Sequence, residues 1–153
     1  EPVGDLRIRY AGRLRGVEIP EQSVPSLIDE LPVILALAAV SEGTTRLRGA
    51  AELRVKESDR LAVMASGLSA LGVSLREYPD GVDIEGGAVH GGRVDGAGDH
   101  RCAMSFAVLG QIAGPEVLIS GWENIDTSYP SFMRDLSRAG GSIGIQQGEQ
   151  SDD

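Results

Sequence analysis

The chain predicts an α+β fold of two repeated units, with sheets packed around helices, and three observations carry this. Short alternating or β-branched stretches interleave with longer apolar stretches of helical spacing along most of the 153 residues. Glycine occurs 21 times and punctuates those stretches, as tight turns between short elements require. The order of elements also recurs. Asp29 and Asp99 each open a first apolar helix, Gly72 and Gly140 each follow a second, and the pairs stand 70 and 68 residues apart.

Taken in order, residues 5–10 alternate Leu6, Ile8 and Tyr10 with polar partners and predict a half-buried strand. Gly12 turns the chain into a second, antiparallel strand over residues 14–19. Residues 28–42 predict an apolar helix with Asp29 as cap or first-turn acid and Pro32 near its start, ended by Gly43. A short strand over 44–47 precedes a helix running to Leu71 and Gly72, and residues 73–84 predict a hairpin turning at Pro79-Asp80-Gly81. One more short strand is expected within 86–98. Asp99 then opens an apolar helix to about Ala113, broken by Gly114-Pro115. A strand over 116–120, a helix over 127–139 entered through Pro130, and a strand over 142–145 complete the second copy. Unit one is expected over about 5–78 and unit two over about 79–145, with a polar, disordered tail at 146–153.

With 41% apolar and 24% charged residues the composition is that of a soluble globular protein. The net charge of −9 opposes nucleic acid or an anionic membrane surface as partner. The longest apolar run, Leu31 to Val40, is interrupted by Pro32 and is too short to span a bilayer. The opening Glu1-Pro2 lacks the basic region of a signal peptide and lacks Met, as expected of a chain that begins inside a longer protein. Cys102 is alone, so no disulfide framework is expected and a reducing, cytoplasmic setting fits. Its apolar helical surroundings predict a small buried hydrophobe.

Chemistry concentrates at three helix entrances. Arg54-Val55-Lys56-Glu57-Ser58-Asp59-Arg60 packs five charges into seven residues just before an apolar helix. With Ser58 as N-cap and Asp59 in the first turn, Lys56 and Arg60 would add two cations to a helix N-terminus, a good place for a phosphate or carboxylate. Glu57 gains an anion binder nothing, so the mixture points to proton transfer beside a bound anion. The competing reading is an exposed Glu57–Arg60 pair at i,i+3 spacing, worth a few tenths of a kcal/mol. Asp29 and Asp99 are ordinary candidates for N-caps, about 1 kcal/mol each. In Asp99-His100-Arg101, His100 satisfies a backbone group or faces solvent, but Arg101 in a first turn opposes the helix dipole unless an anion compensates it. Arg60 raises the same difficulty, so two such arginines in matching places predict a shared anionic ligand. The two histidines stand ten positions apart, with no HExxH pattern, P-loop or GxSxG elbow, and no metal site is expected.

The stretch Arg54–Arg60 resembles the signature of the 5-enolpyruvylshikimate-3-phosphate synthase family, which is highly specific. Asp99-His100-Arg101-Cys102-Ala103-Met104-Ser105-Phe106 is similar to a second motif of that family. Ile28-Asp29-Glu30-Leu31-Pro32 and Thr127-Ser128-Tyr129-Pro130-Ser131-Phe132 are similar to two more. The resemblance covers nearly the whole chain but only the closing portion of a two-lobed enzyme. It implies βαβαββ units, three per lobe, with helices enclosed by sheets (an α/β prism); the two copies here would be two of the three units of one lobe.

It also implies a reaction in which the 5-hydroxyl of shikimate 3-phosphate adds to C2 of phosphoenolpyruvate and phosphate is then lost, with no metal or organic cofactor. By the same resemblance Asp29 would accept the hydroxyl proton, Glu57 would exchange a proton with the phosphoenolpyruvate methylene carbon, and Lys56 would touch shikimate 3-phosphate. Arg60 and Arg101 would hold the phosphate or carboxylate of phosphoenolpyruvate. Some members carry a phosphoenolpyruvate-binding Lys where this chain has Thr127, and that contact does not transfer. The missing first lobe would be the partner, without which the chain is expected to be inactive. Two rivals stand beside this reading. One is the UDP-N-acetylglucosamine enolpyruvyl transferase, which shares fold and donor but not the Lys56–Arg60 motif. The other is a module that keeps the fold without chemistry.

Overall fold

The structure is a computed structural model that describes residues 3–5, 7–10 and 12–146. Its elements are α1 (Val24–Leu27), α2 (Leu31–Ala39), β1 (Gly43–Leu47), α3 (Arg60–Ala70), β2 (Ser74–Tyr78), β3 (Gly81–Gly86), β4 (Gly92–Asp95), α4 (His100–Gly110), β5 (Val117–Ser120), α5 (Ile125–Ser128) and α6 (Phe132–Arg138). Single 3-10 turns occupy Glu21–Ser23 and Ala51–Val55. Helices and strands alternate as an α+β fold.

Three antiparallel strands form one sheet in the order β1-β3-β2, with Leu47 facing Val82 and Tyr78 facing Gly81 across the ladders. Residues 14–19 lie alongside β1 in parallel, through bridges Arg15 to Glu42 and Glu18 to Arg46. The partner of this segment is therefore not residues 5–10, as expected from an antiparallel pair. Residues 7–10 form no strand, with Ile8 and Tyr10 86% and 91% exposed, and Leu6 lies outside the described residues. A second sheet pairs β4 with β5 in parallel. In both halves two parallel extended segments are joined through a buried helix: 14–19, α2, β1, and then β4, α4, β5. The strand Gly81–Gly86, placed at the start of the second unit by the boundary at 78/79, is instead the central strand of the first sheet. β2 and β3 form a hairpin that lies beside β1 in one sheet.

Proline sets two helix starts. Pro32 has no N–H to donate, so it fits only the first turn, and α2 begins at Leu31 rather than Ile28. Asp29 therefore lies ahead of the helix and caps nothing. The same logic splits the helix expected over 127–139 into α5 and α6 on either side of Pro130. The ends of α3 and α6 repeat closely. Gly72 (φ 83°) and Gly140 (φ 96°) take the left-handed conformation, and each helix closes with a pair of reverse bonds, from Val73 to Leu68 and Gly72 to Ser69, and from Gly141 to Leu136 and Gly140 to Ser137. The strand expected over Ser142–Ile145 does not form, and these residues join no ladder among the described residues.

The core lies where α2, α3 and α4 meet, with Leu31, Leu35, Leu61, Met64, Leu68, Cys102, Phe106 and Leu109 all buried. Packing there is close enough that a Cβ added at Gly67 would sit 2.2 Å from Cζ of Phe106. That contact brings α3 and α4 together, and with them their N-termini. No single helix among the described residues is long and apolar enough to cross a membrane.

Candidate active site

The N-termini of α3 and α4 and the turn before α2 converge on one side chain, the guanidinium of Arg60, which is 1% exposed. Its Nε donates to Asp99 Oδ2 at 2.8 Å, Nη1 to Asp29 Oδ1 at 3.1 Å and Nη2 to Glu57 Oε2 at 2.5 Å. Five guanidinium N–H groups in a fixed plane suit such a hub. Burial works against the charge of Arg60, but the Asp99 hydrogen bond and the charges of Asp99 and Glu57 outweigh it and raise its pKa above the ordinary value.

Asp99 has two tasks, and only one was expected. Its Oδ1 caps α4 by accepting from the backbone N–H groups of Arg101 at 2.9 Å and Cys102 at 3.3 Å. Its Oδ2 accepts from Arg60 and from the hydroxyl of Ser58 at 3.1 Å. Ser58 therefore does not cap α3; Asp59 does, accepting from Ala62 N–H at 2.9 Å.

Arg101 is held at the other side of Asp29. Its Nη1 donates to the Asp29 carbonyl at 2.8 Å and to Glu30 at 3.3 Å, and its Nη2 lies 3.9 Å from Asp29 Oδ2. Asp29, half exposed, thus stands between the two arginines. The anions that compensate Arg60 and Arg101 are carboxylates of the chain itself, so the two first-turn cations do not by themselves require a shared ligand. Lys56 pairs with Glu52 one helical turn back at 2.5 Å. The five residues singled out by sequence cluster as four and one: Asp29, Glu57, Arg60 and Arg101 form one network through Asp29 and Arg60, while Lys56 neighbours them along the chain with its own partner.

Arg54 is a structural residue that sequence reasoning left without a role. It donates to Asp59, Glu77 and the carbonyls of Tyr78 and Pro79, and so ties the cap of α3 to the β2–β3 turn. Five charges in seven residues signalled function, but not which of them point inward. His90 packs against Gly72 at the end of α3, away from this network. An open cleft of about 680 Å³ lies elsewhere, between α4, β5, Met133 and residues 142–146, and none of the five candidate residues lines it.

Cys102 is fully buried, and burial first, then the charge of Asp99, push its thiol up to about 12. It is expected to resist iodoacetamide in the folded chain at pH 8 and to react once the chain is unfolded in urea, which mass spectrometry would read directly. Rapid labelling of the folded chain would contradict the packing.

Comparison with known proteins identifies what the chain as a whole is similar to. The sequence profile of the family described as EPSP synthase (3-phosphoshikimate 1-carboxyvinyltransferase) matches residues 1–136. The 3-phosphoshikimate 1-carboxyvinyltransferase of Xanthomonas euvesicatoria pv. vesicatoria (strain 85-10) is 50% identical over 146 residues, covering 95% of this chain and 32% of that protein. That of Legionella pneumophila (strain Paris) is 52% identical over 133 residues, 87% of this chain and 30% of the relative. The structure of EPSP synthase from Acinetobacter baumannii superimposes with a TM-score of 0.85 at 43% identity, covering 88% of this chain and 32% of that one. The chain spans about a third of the length of the curated relatives it matches. With its motifs, its fold and most of its length in agreement, the chain belongs to the EPSP synthase family.

Proposed function

We propose that this chain forms second-lobe units of a 3-phosphoshikimate 1-carboxyvinyltransferase and supplies one wall of its cleft. The observation that carries the reading is a pair of carboxylates held on one cation: Asp29 and Glu57 both bond to Arg60, and Arg101 flanks Asp29. A reaction that takes a proton from a hydroxyl and adds one to a methylene carbon uses a general base and a general acid, roles that two neighbouring carboxyl groups can fill. Asp29 accepts the proton of the shikimate 3-phosphate 5-hydroxyl as its oxygen bonds to C2 of phosphoenolpyruvate, and Glu57 delivers a proton to C3. Loss of phosphate from the tetrahedral intermediate, which takes up the proton held by Asp29, with return of a C3 proton to Glu57, leaves the enolpyruvyl ether. Arg60 and Arg101 oppose the charge of the donor, and Lys56 meets the 3-phosphate. The other wall, and further contacts to both substrates, belong to the first lobe. The setting is cytoplasmic, as the lone, buried Cys102 fits a reducing compartment.

The test compares the chain alone with the chain joined to the remaining two-thirds of a relative, such as that from Xanthomonas euvesicatoria. Phosphate release from shikimate 3-phosphate and phosphoenolpyruvate is expected only from the joined protein, because half a cleft forfeits orientation and water exclusion. A folded joined protein without turnover would refute the reading. Equal turnover by the chain alone would refute the division of labour.

A further inference from the structure

The three carboxylates on Arg60 are not equivalent. Asp99 is fully buried, and its four hydrogen bonds fix it between the N-termini of α3 and α4. Asp29 and Glu57 are 50% and 56% exposed at the side chain and reach in from the turn before α2 and the loop before α3. A guanidinium offers Nη1 and Nη2 as a planar fork that matches a single carboxylate or phosphate held by two parallel bonds. Here two separate carboxylates take one nitrogen each, which sets like charges side by side on the open edge of the fork. Asp29 also faces Arg101, so its carboxylate occupies the place between the two arginines where one small anion would satisfy both.

We propose that Asp29 and Glu57 are internal stand-ins for the donor substrate on the Arg60 fork. A small anion carrying a carboxylate or phosphate, phosphoenolpyruvate on the functional reading above, takes Nη1 and Nη2 of Arg60 and the adjacent face of Arg101. It displaces both side chains toward solvent, while Asp99 keeps the guanidinium in place through Nε. No covalent bond changes in this exchange; one anion replaces two on a fixed cation. Its consequence is order. Until the donor arrives, each carboxylate is bonded to Arg60 and withdrawn from proton transfer; seating the donor releases both into the cleft. The inference rests on the functional reading only for the identity of the anion.

The test measures the dissociation constant of phosphoenolpyruvate for the folded chain by NMR titration of arginine side-chain N–H signals. Wild type is compared with Glu57→Gln and Glu57→Asp. Glu57→Gln removes the stand-in charge, whereas Glu57→Asp keeps the charge but shortens the reach to Nη2. Both are expected to bind phosphoenolpyruvate about two- to fivefold more tightly, the factor that losing a half-exposed ion pair permits. A gain for Glu57→Gln without one for Glu57→Asp would mean simple repulsion at a distance and overturn the proposal. Binding by wild type with no gain in either variant would overturn it too, while leaving the functional reading intact. No binding by any of the three would overturn the proposal, because the Arg60 fork would then prefer its own carboxylates to the donor. Gains in both variants, alongside a joined two-lobed protein that does not turn over, would support the exchange and refute the enzyme assignment.

Discussion

Asp99→Asn is expected to lower the unfolding free energy of the chain by about 3–5 kcal/mol, the usual cost of removing one partner of a buried ion pair. The choice of Asn isolates the charge. Asn caps helices about as well as Asp, so the cap on α4 survives as long as the amide oxygen faces the N–H groups of Arg101 and Cys102. What is lost is the acceptor for Arg60 Nε: either the amide N–H₂ faces that donor, or the amide turns and gives up the cap. Arg60, 1% exposed, is left with two half-exposed carboxylates. Urea unfolding should show a lower midpoint at an unchanged slope. A loss under about 1 kcal/mol would mean water reaches Arg60 freely and the pair behaves as a surface one.

The same carboxyl sets a pH dependence. Burial works against its charge, but the hydrogen bond and charge of Arg60 and the backbone N–H groups of Cys102 and Arg101 prevail, holding it below the ordinary value of 3.8. A depressed carboxyl contributes its full stability above the unfolded value and loses it as pH falls through the folded one. The chain is therefore expected to weaken below about pH 4, and Asp99→Asn to weaken less steeply there than wild type.

Much of this architecture was legible because local chemistry and fold agree in it. The hairpin from Ser74 to Gly86 follows from Pro79-Asp80-Gly81 between alternating runs, and the ends of α3 and α6 follow from Gly72 and Gly140. Errors fell where a partner decides. Ile8 and Tyr10 alternate like a half-buried strand, yet alternation fixes a face only when something covers it, and both are exposed. Residues 14–19 read correctly as extended but were given the wrong neighbour. Their hydrogen bonds go to the strand after α2, and pairing across an intervening helix leaves no local mark in sequence.

The site was legible in its members and not in its wiring. Arg60 and Arg101 were expected to oppose their helix dipoles, and the structure answers with carboxylates from distant segments: Asp29 lies 31 residues from Arg60, and Asp99 lies 39. Asp99 looked like a cap and is one, and a cap uses one oxygen. The second oxygen, turned to Arg60 and Ser58, ties the N-terminus of α4 to that of α3. Ser58 was misassigned because Asp59 beside it caps equally well, and only the position of Asp99 decides between them.

Glu57→Gln in the two-lobed protein should lower kcat by about a hundredfold or more without weakening the binding of phosphoenolpyruvate, since a positioned acid–base group typically contributes at least that much. The geometry argues for this split. Glu57 touches Arg60 but carries no fold-critical contact among the described residues: it is half exposed, and its recorded partner is a guanidinium that Asp99 already holds. Its removal should therefore leave stability near wild type, within about 0.5–1 kcal/mol for an exposed pair. An anion site would gain from losing a negative charge, so binding alone gives Glu57 no reason to be there. Proton exchange at the methylene carbon does. The decisive control is solvent isotope exchange: with deuterated water, the methylene protons of phosphoenolpyruvate should exchange during turnover by wild type and far more slowly in Glu57→Gln. A kcat within twofold of wild type, with isotope exchange unchanged, would move the proton to another group and leave Glu57 as only an ion-pair partner of Arg60.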